Sequence, residues 1–214
     1  MKKYELVIFD LDGTLADTSE GIINAHRYAN AQMNRERPEE QELRHIIGAS
    51  LLDTYIYQFG YQRCEAEKAV RIYRDWYGKY GVKEAELYQN IDELLQILYH
   101  KGCKLAVATL KAENLAREVL ANLGIDHFFN LIHGVDTKDR LSKCDLINMC
   151  ISELECEKAA SILVGDSMHD MAGAEEAGID FVGVTYGFGH FAEGQMYENM
   201  KMTIADPLEL LRIL

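Results

Sequence analysis

Two carboxylates, Asp10 and Asp12, follow directly on the apolar run Leu6 to Phe9 and precede the turn residues Gly13 and Thr14. Unpaired charge beside a core is costly, so these acids need compensation. A hard divalent cation taking oxygen ligands is the natural partner. The segment V-I-F-D-L-D-G-T-L therefore reads as a site of chemistry and not as a packing element. Three more apolar runs end in polar residues. Lys104 to Ala108 leads into Thr109-Leu110-Lys111. Phe129 to His133 is followed by Lys138 and Lys143. Ser161 to Val164 leads into Gly165-Asp166-Ser167-Met168-His169-Asp170. Acids after two runs, a hydroxyl after a third and lysines after a fourth suit a phosphate held between a magnesium ion and fixed donors.

The elements that must position these residues follow from periodicity. Helices are expected at Asp92–His100, Glu113–Leu123, Lys143–Leu154 and Met168–Ala177. They alternate with the apolar runs and with further strands at Phe181–Thr185 and Met202–Ile204, before a last helix at Pro207–Leu214. Such alternation implies βαβ units: a doubly wound, Rossmann-like parallel sheet with helices on both faces. In such sheets ligands bind beyond the carboxyl ends of the strands, where the polar residues above lie.

The first strand is separated from this rhythm by about 65 residues of helical pattern. A helix capped near Thr18-Ser19-Glu20 ends at Arg35-Glu36-Arg37-Pro38. Two short helices follow at Glu39–Ile47 and Leu51–Phe59, then a long one at Cys64–Tyr80. Its stripe of Tyr73, Trp76, Tyr77 and Tyr80 reads as core. The insertion is expected to be a helical cap spanning 18–82, with 1–17 and 83–214 forming the α/β core.

A formal charge of −13 argues against a nucleic-acid polymer or an anionic membrane as partner. No apolar run approaches the roughly 20 residues that span a bilayer. The five cysteines, Cys64, Cys103, Cys144, Cys150 and Cys156, form no CxxC pair. With no signal-like N-terminus, they read as reduced thiols of a cytoplasmic protein.

Together, D-L-D-G-T-L after a strand, a strand-end Thr, a downstream Lys and V-G-D-S-M-H-D resemble the haloacid dehalogenase-like hydrolase superfamily, and the insertion resembles its four-helix-type cap. The resemblance implies that Asp10 is a nucleophile forming an aspartyl-phosphate and that Asp12 is the general acid and base. It implies phosphate binding by Thr109, by Lys143 and by main-chain N–H groups around Leu11 and Leu110. It also implies Mg²⁺ held by Asp10, Asp166, the carbonyl of Asp12 and, directly or through water, Asp170. Two lysines compete for the third role. Lys143 opens a helix behind Ser142 and Asp145, which are placed like a capping box, whereas Lys138 sits in an acidic, turn-like stretch and reads as solvated. Motif context favours Lys143. Lys111 reads as a surface or cap-facing residue.

The resemblance thus implies a Mg²⁺-dependent phosphatase of a small phosphomonoester, with phosphoglycolate or a nucleoside 5′-monophosphate foremost, acting as monomer or homodimer. The loop V-T-Y-G-F-G is similar to that of the phosphoglycolate phosphatase and 5′-nucleotidase-like branches. A sugar phosphomutase or a non-catalytic phosphate-binding regulator on the same scaffold are the alternatives. A dehalogenase would leave Asp12, Asp166 and Asp170 without purpose. Arg44, beside the cap segment Ile46-Ile47-Gly48-Ala49-Ser50, is either a reader of a second anionic group or part of a solvated face. The histidines at 26, 45, 100, 127, 133 and 190 show no ligand spacing and read as structural or exposed, and His169 as a packing or hydrogen-bonding residue.

Overall fold

The computed structural model describes residues 4–136, 140–189, 191 and 197–214. Strand β1 (Leu6–Phe9) is buried at every position, as an unbroken apolar run in a central parallel strand should be. It lies between β4 (Lys104–Ala112) and β6 (Ser161–Gly165), with Phe9 opposite Val107 and Val164. Strands β5 (Leu131–Val135), β7 (Asp180–Val184) and β8 (Met200–Ile204) complete a six-stranded sheet, parallel throughout, in the order β5-β4-β1-β6-β7-β8.

Successive side chains point to opposite faces of the sheet. Val7, Phe9, Leu105, Val107, Ile162 and Val164 enter one core, shared with α5 (Ile91–His100) and α6 (Glu113–Asn122). Leu6, Ile8, Ala106, Ala108 and Leu163 enter the other, shared with α7 (Lys143–Glu153) and α8 (Met168–Ala177). Helix α5 buries Ile91, Leu94, Leu95 and Leu98, one stripe at helical spacing. The doubly wound α/β class read from the sequence is the observed one.

A short antiparallel ribbon, β2 (Ala16–Asp17) with β3 (Glu86–Leu87), closes the base of the helical insertion. Between its strands lie α1 (Ser19–Gln32), α2 (Glu40–Arg44), α3 (Leu51–Asp53) and α4 (Arg63–Lys79). Helix α1 turns Ile22, Ala25 and Ala29 into the core that α4 enters with Ala66, Ala69, Val70, Tyr73 and Tyr77.

Several sequence expectations differ in detail. The ribbon was not anticipated, because two-residue strands carry no readable period. Strand β4 runs past Ala108 to Ala112, with its register interrupted between Thr109 and Ala112. The helix expected at Leu51–Phe59 is regular only to Asp53 and then widens into a π turn over Thr54–Gln58. The last helix is a 3₁₀ segment, Pro207–Arg212. Of the aromatic stripe on α4, Tyr73 and Tyr77 are core, whereas Trp76 is half-buried and Tyr80 is exposed.

Leu95 is fully buried on α5, a helix that carries none of the strand-end polar residues. Leu95→Ala should remove about 2–5 kcal/mol of stability. Urea unfolding checks this as a lowered midpoint at unchanged slope.

Candidate active site

The turn after β1 is wound tightly around one carbonyl. Leu11 O accepts from the N–H groups of Thr14, Leu15 and Ala16, at 3.3, 3.0 and 3.2 Å. Gly13 has φ +84°, and a Cβ there would run into the Asp166 carboxyl and the Phe188 ring. The glycine thus lets the loops after β1 and β6 touch. Asp10 stays in register with the sheet through its N–H to Val164 O, 2.9 Å.

Lys143 is the first residue of α7, behind the Ser142 cap. Its ammonium donates to Asp10 Oδ1 (2.6 Å) and to Ala108 O (2.8 Å), and pairs with Asp170 Oδ1 at 2.7 Å. A cation at a helix N-terminus opposes the helix dipole by about 0.3–1 kcal/mol. That is small against the roughly 3–5 kcal/mol lost when one member of a buried ion pair is removed. The lysine stem passes over Gly173 of α8, where any Cβ would meet it. Lys138, the competing lysine, lies outside the described residues, as does His190.

Asp170 has two sets of partners. Its Oδ2 accepts from Ser167 N (3.0 Å) and Ser167 Oγ (2.6 Å), capping α8, while Oδ1 faces Lys143. Asp166 Oδ2 accepts from the main-chain N–H groups of Phe188 (2.7 Å) and Gly189 (2.9 Å). The G-F-G loop therefore holds an acid of the site. Its glycines are needed because a Cβ at 187 or 189 would strike the backbone or side chain of Gly13 and Asp166.

Asp10, Asp166 and Asp170 are buried and each offers an oxygen within 4.8 Å of the others. Lys143 pairs with two of these acids, Asp10 and Asp170, and burial raises the protonation of Asp10 and Asp166. Burial, aided by Asp170 and Asp12 and opposed by Lys143, pushes Asp10 up to about 7. Burial, with Asp170 and Asp10, pushes Asp166 up to about 8 against its two N–H bonds. Burial works against the charge of Lys143, but Asp10 and Asp170 together outweigh it and hold the ammonium above the usual lysine range. A compact set of hard carboxylate oxygens fits a small dication such as Mg²⁺.

Asp12 has different partners. Its Oδ1 accepts from Thr18 Oγ1 at 2.6 Å, and its Oδ2 pairs with Lys111 Nζ at 2.9 Å. Lys111 is thus cap-facing, not a surface residue: its side chain is 6% exposed and its ammonium lies 4.4 Å from the Tyr77 ring centre. One cleft is lined by Asp10, Asp12, Thr109, Leu110 and Lys111 from the core, and by His26, Ile47 and Tyr73 from the insertion. Leu11 lies beneath it, fully buried. Ile46 to Ala49 face the cleft, but Arg44 does not; it is exposed and paired with Glu40 at 3.1 Å. Arg74 of α4 lines the cleft instead, unflagged by any motif. His26 was expected to be structural or exposed. It is buried against Tyr73 and Tyr55, and burial, with the Lys111 charge, lowers it to about 3.

The family model for haloacid dehalogenase-like hydrolases matches residues 7–184. The chain belongs to that family. A 5′-nucleotidase of Pseudomonas aeruginosa is 35% identical over 188 residues, covering 87% of this chain and 85% of the relative. The tyrosine-protein kinase PtkA of Mycobacterium tuberculosis is 38% identical over 186 residues; the match takes in 86% of this chain but only 63% of that protein. A haloacid dehalogenase-like hydrolase from Streptococcus pneumoniae superposes with a TM-score of 0.89 at 32% identity over 99% of each chain.

The raised acids of this hydrolase set a pH dependence. Between pH 4 and 8 folded Asp10 and Asp166 keep protons that the unfolded chain has lost, a contribution that lowers metal-free stability as pH rises and that buried His26 partly offsets below pH 6.5. Asp166→Asn should flatten that fall, the two proteins converging near pH 4. Urea midpoints in EDTA check this. Mg²⁺ affinity should rise from pH 6 to pH 9, as calorimetric titration measures.

Proposed function

We propose that the chain is a Mg²⁺-dependent phosphatase of small phosphomonoesters, working through an aspartyl-phosphate on Asp10. Membership of the hydrolase family makes it a phosphoric monoester hydrolase. The supporting observation is the separation of the two motif carboxylates by their partners. Asp10 is pinned by Lys143 within the acid cluster, while Asp12 is turned to Thr18 and Lys111 in the same cleft.

In this reading the Asp10 carboxylate attacks phosphorus, the bond to the ester oxygen breaks, and Asp12 delivers a proton to that oxygen. Asp12 then takes a proton from water, which attacks the aspartyl-phosphate and releases inorganic phosphate. Lys143 balances the charge of nucleophile and phosphoryl group, and Thr109 with the N–H groups of Leu11 and Leu110 receives its oxygens. Asp10, Asp166 and Asp170, with the carbonyl of Asp12, would hold Mg²⁺, which supplies further charge neutralisation. The side chain of Asp12, engaged elsewhere, contributes none of the three clustered carboxylates.

The helices of the insertion, read as a cap over 18–82, roof the cleft with Ile46, Ile47, Leu51 and Tyr73. Such a roof excludes water and admits a compact metabolite, with phosphoglycolate and nucleoside 5′-monophosphates the first to assay.

Purified protein should release p-nitrophenol from p-nitrophenyl phosphate with Mg²⁺ and lose this activity in EDTA; no turnover of any phosphate ester would sink the reading. Asp10→Asn should lower kcat by ~10⁴-fold or more while circular dichroism stays native. Lys143→Ala should cripple turnover far more than Lys138→Ala, in the same assay.

A further inference from the structure

Nothing in the motif assignments gives Lys111 a task, yet it is placed with more constraint than a solvated lysine requires. Its side chain is 6% exposed. Burial of an ammonium is costly without partners, and two partners are present. Asp12 Oδ2 lies at 2.9 Å and the face of Tyr77 at 4.4 Å from the ring centre. Tyr77 is itself fully buried and stacks on Tyr73, with ring planes 5° apart and centres 5.7 Å apart. The platform beneath the ammonium is therefore a rigid pair of rings on α4, not a mobile side chain.

On the other side, Lys111 rises from the irregular end of β4, two residues beyond Thr109, whose Oγ1 accepts from Lys111 N at 3.3 Å. Thr109 and Lys111 are two residues apart and so share one face of the strand, and both line the cleft wall. Asp12 has one oxygen on Thr18 and the other on Lys111. Two donors on opposite oxygens set the carboxylate's position and plane together.

We propose that Lys111, seated on the Tyr77 ring, is a positioning residue that aims the Asp12 carboxylate at the leaving oxygen of the ester. It acts through Asp12 and transfers no proton itself. The proposal rests on the phosphatase reading and on Asp12 as proton donor. A carboxylate swung away from its line costs little when the leaving group departs unaided, and much when the leaving oxygen must be protonated as its bond breaks.

The test is a leaving-group series, p-nitrophenyl, phenyl and ethyl phosphate, with 2-phosphoglycolate assayed beside ethyl phosphate, for wild type, Lys111→Met, Asp12→Asn and the double variant. The constant read is kcat/KM, which reports events up to the first irreversible step. Lys111→Met should lose at least tenfold more on ethyl than on p-nitrophenyl phosphate, steepening the dependence on leaving-group pKa. In the Asp12→Asn background the same substitution should add no leaving-group-selective loss, because the residue it aims is gone. An equal loss across the series, or full additivity in the double variant, would overturn the assignment. So would a loss confined to 2-phosphoglycolate beside ethyl phosphate, which would make Lys111 a reader of substrate charge. If Lys111→Met does not fold by circular dichroism, Lys111→Gln, a shorter neutral donor, is judged by the same slope and the same double variant. Absence of wild-type turnover on every ester would refute the phosphatase reading itself, a separate outcome from a flat variant series.

Discussion

One ammonium in a nest of acids holds the active end of this molecule together. Lys143 touches the carboxylate that follows β1, the carboxylate in the first turn of α8, and the Ala108 carbonyl of β4. Two strands and two helices therefore converge on a single buried cation. Removing it would leave two carboxylates facing one another in a low-dielectric pocket, so the arrangement tolerates no simple exchange. The glycines nearby follow from the same constraint. Gly173 gives the lysine stem its lane, Gly165 makes room for the Asp170 carboxyl, and Gly13 admits Asp166.

The charge balance is incomplete by design of the residues alone. Burial first, and neighbouring carboxylates second, drive Asp10 and Asp166 upward, Asp166 even with two main-chain donors at its disposal. On the proposed reading, in which the site receives a dication and an anionic ester, such poise helps because each arrival is met by groups already placed and not by groups that must reorganise. Asp12 is kept out of this cluster by Thr18 and Lys111, so two acids one residue apart in spacing experience different surroundings.

Much of this was legible beforehand because strong local signals coincide with chemistry. An unbroken apolar run ending in D-L-D-G-T has few structural explanations, and S-I-L-V-G-D-S-M-H-D repeats the logic. Lys143 could be preferred over Lys138 because Ser142 and Asp145 announce a helix start, and the capping box is present. The details that escaped carry little or no periodicity. The two-residue strands of the ribbon, the π turn after Asp53 and the 3₁₀ close of the chain are of this kind. The role of the G-F-G loop escaped too, because its contribution is made by main-chain N–H groups, which no side-chain pattern reports.

The amino-acid sequence by itself determined the sheet class, the helical insertion and the four strand-end motifs, since hydrophobic period and strand-end polarity are properties of neighbours along the chain. Tertiary structure alone decided which polar residues meet. It sent Arg44 to solvent and brought Arg74 and His26 to the cleft. It also placed Lys111 of the core on Tyr77 of the insertion, beside Asp12. Those contacts join residues 34 to 99 positions apart, and their strength depends on burial that only the packed chain creates. Charge, ring and carboxylate are each common in sequence; their meaning here arises from the exclusion of water around them.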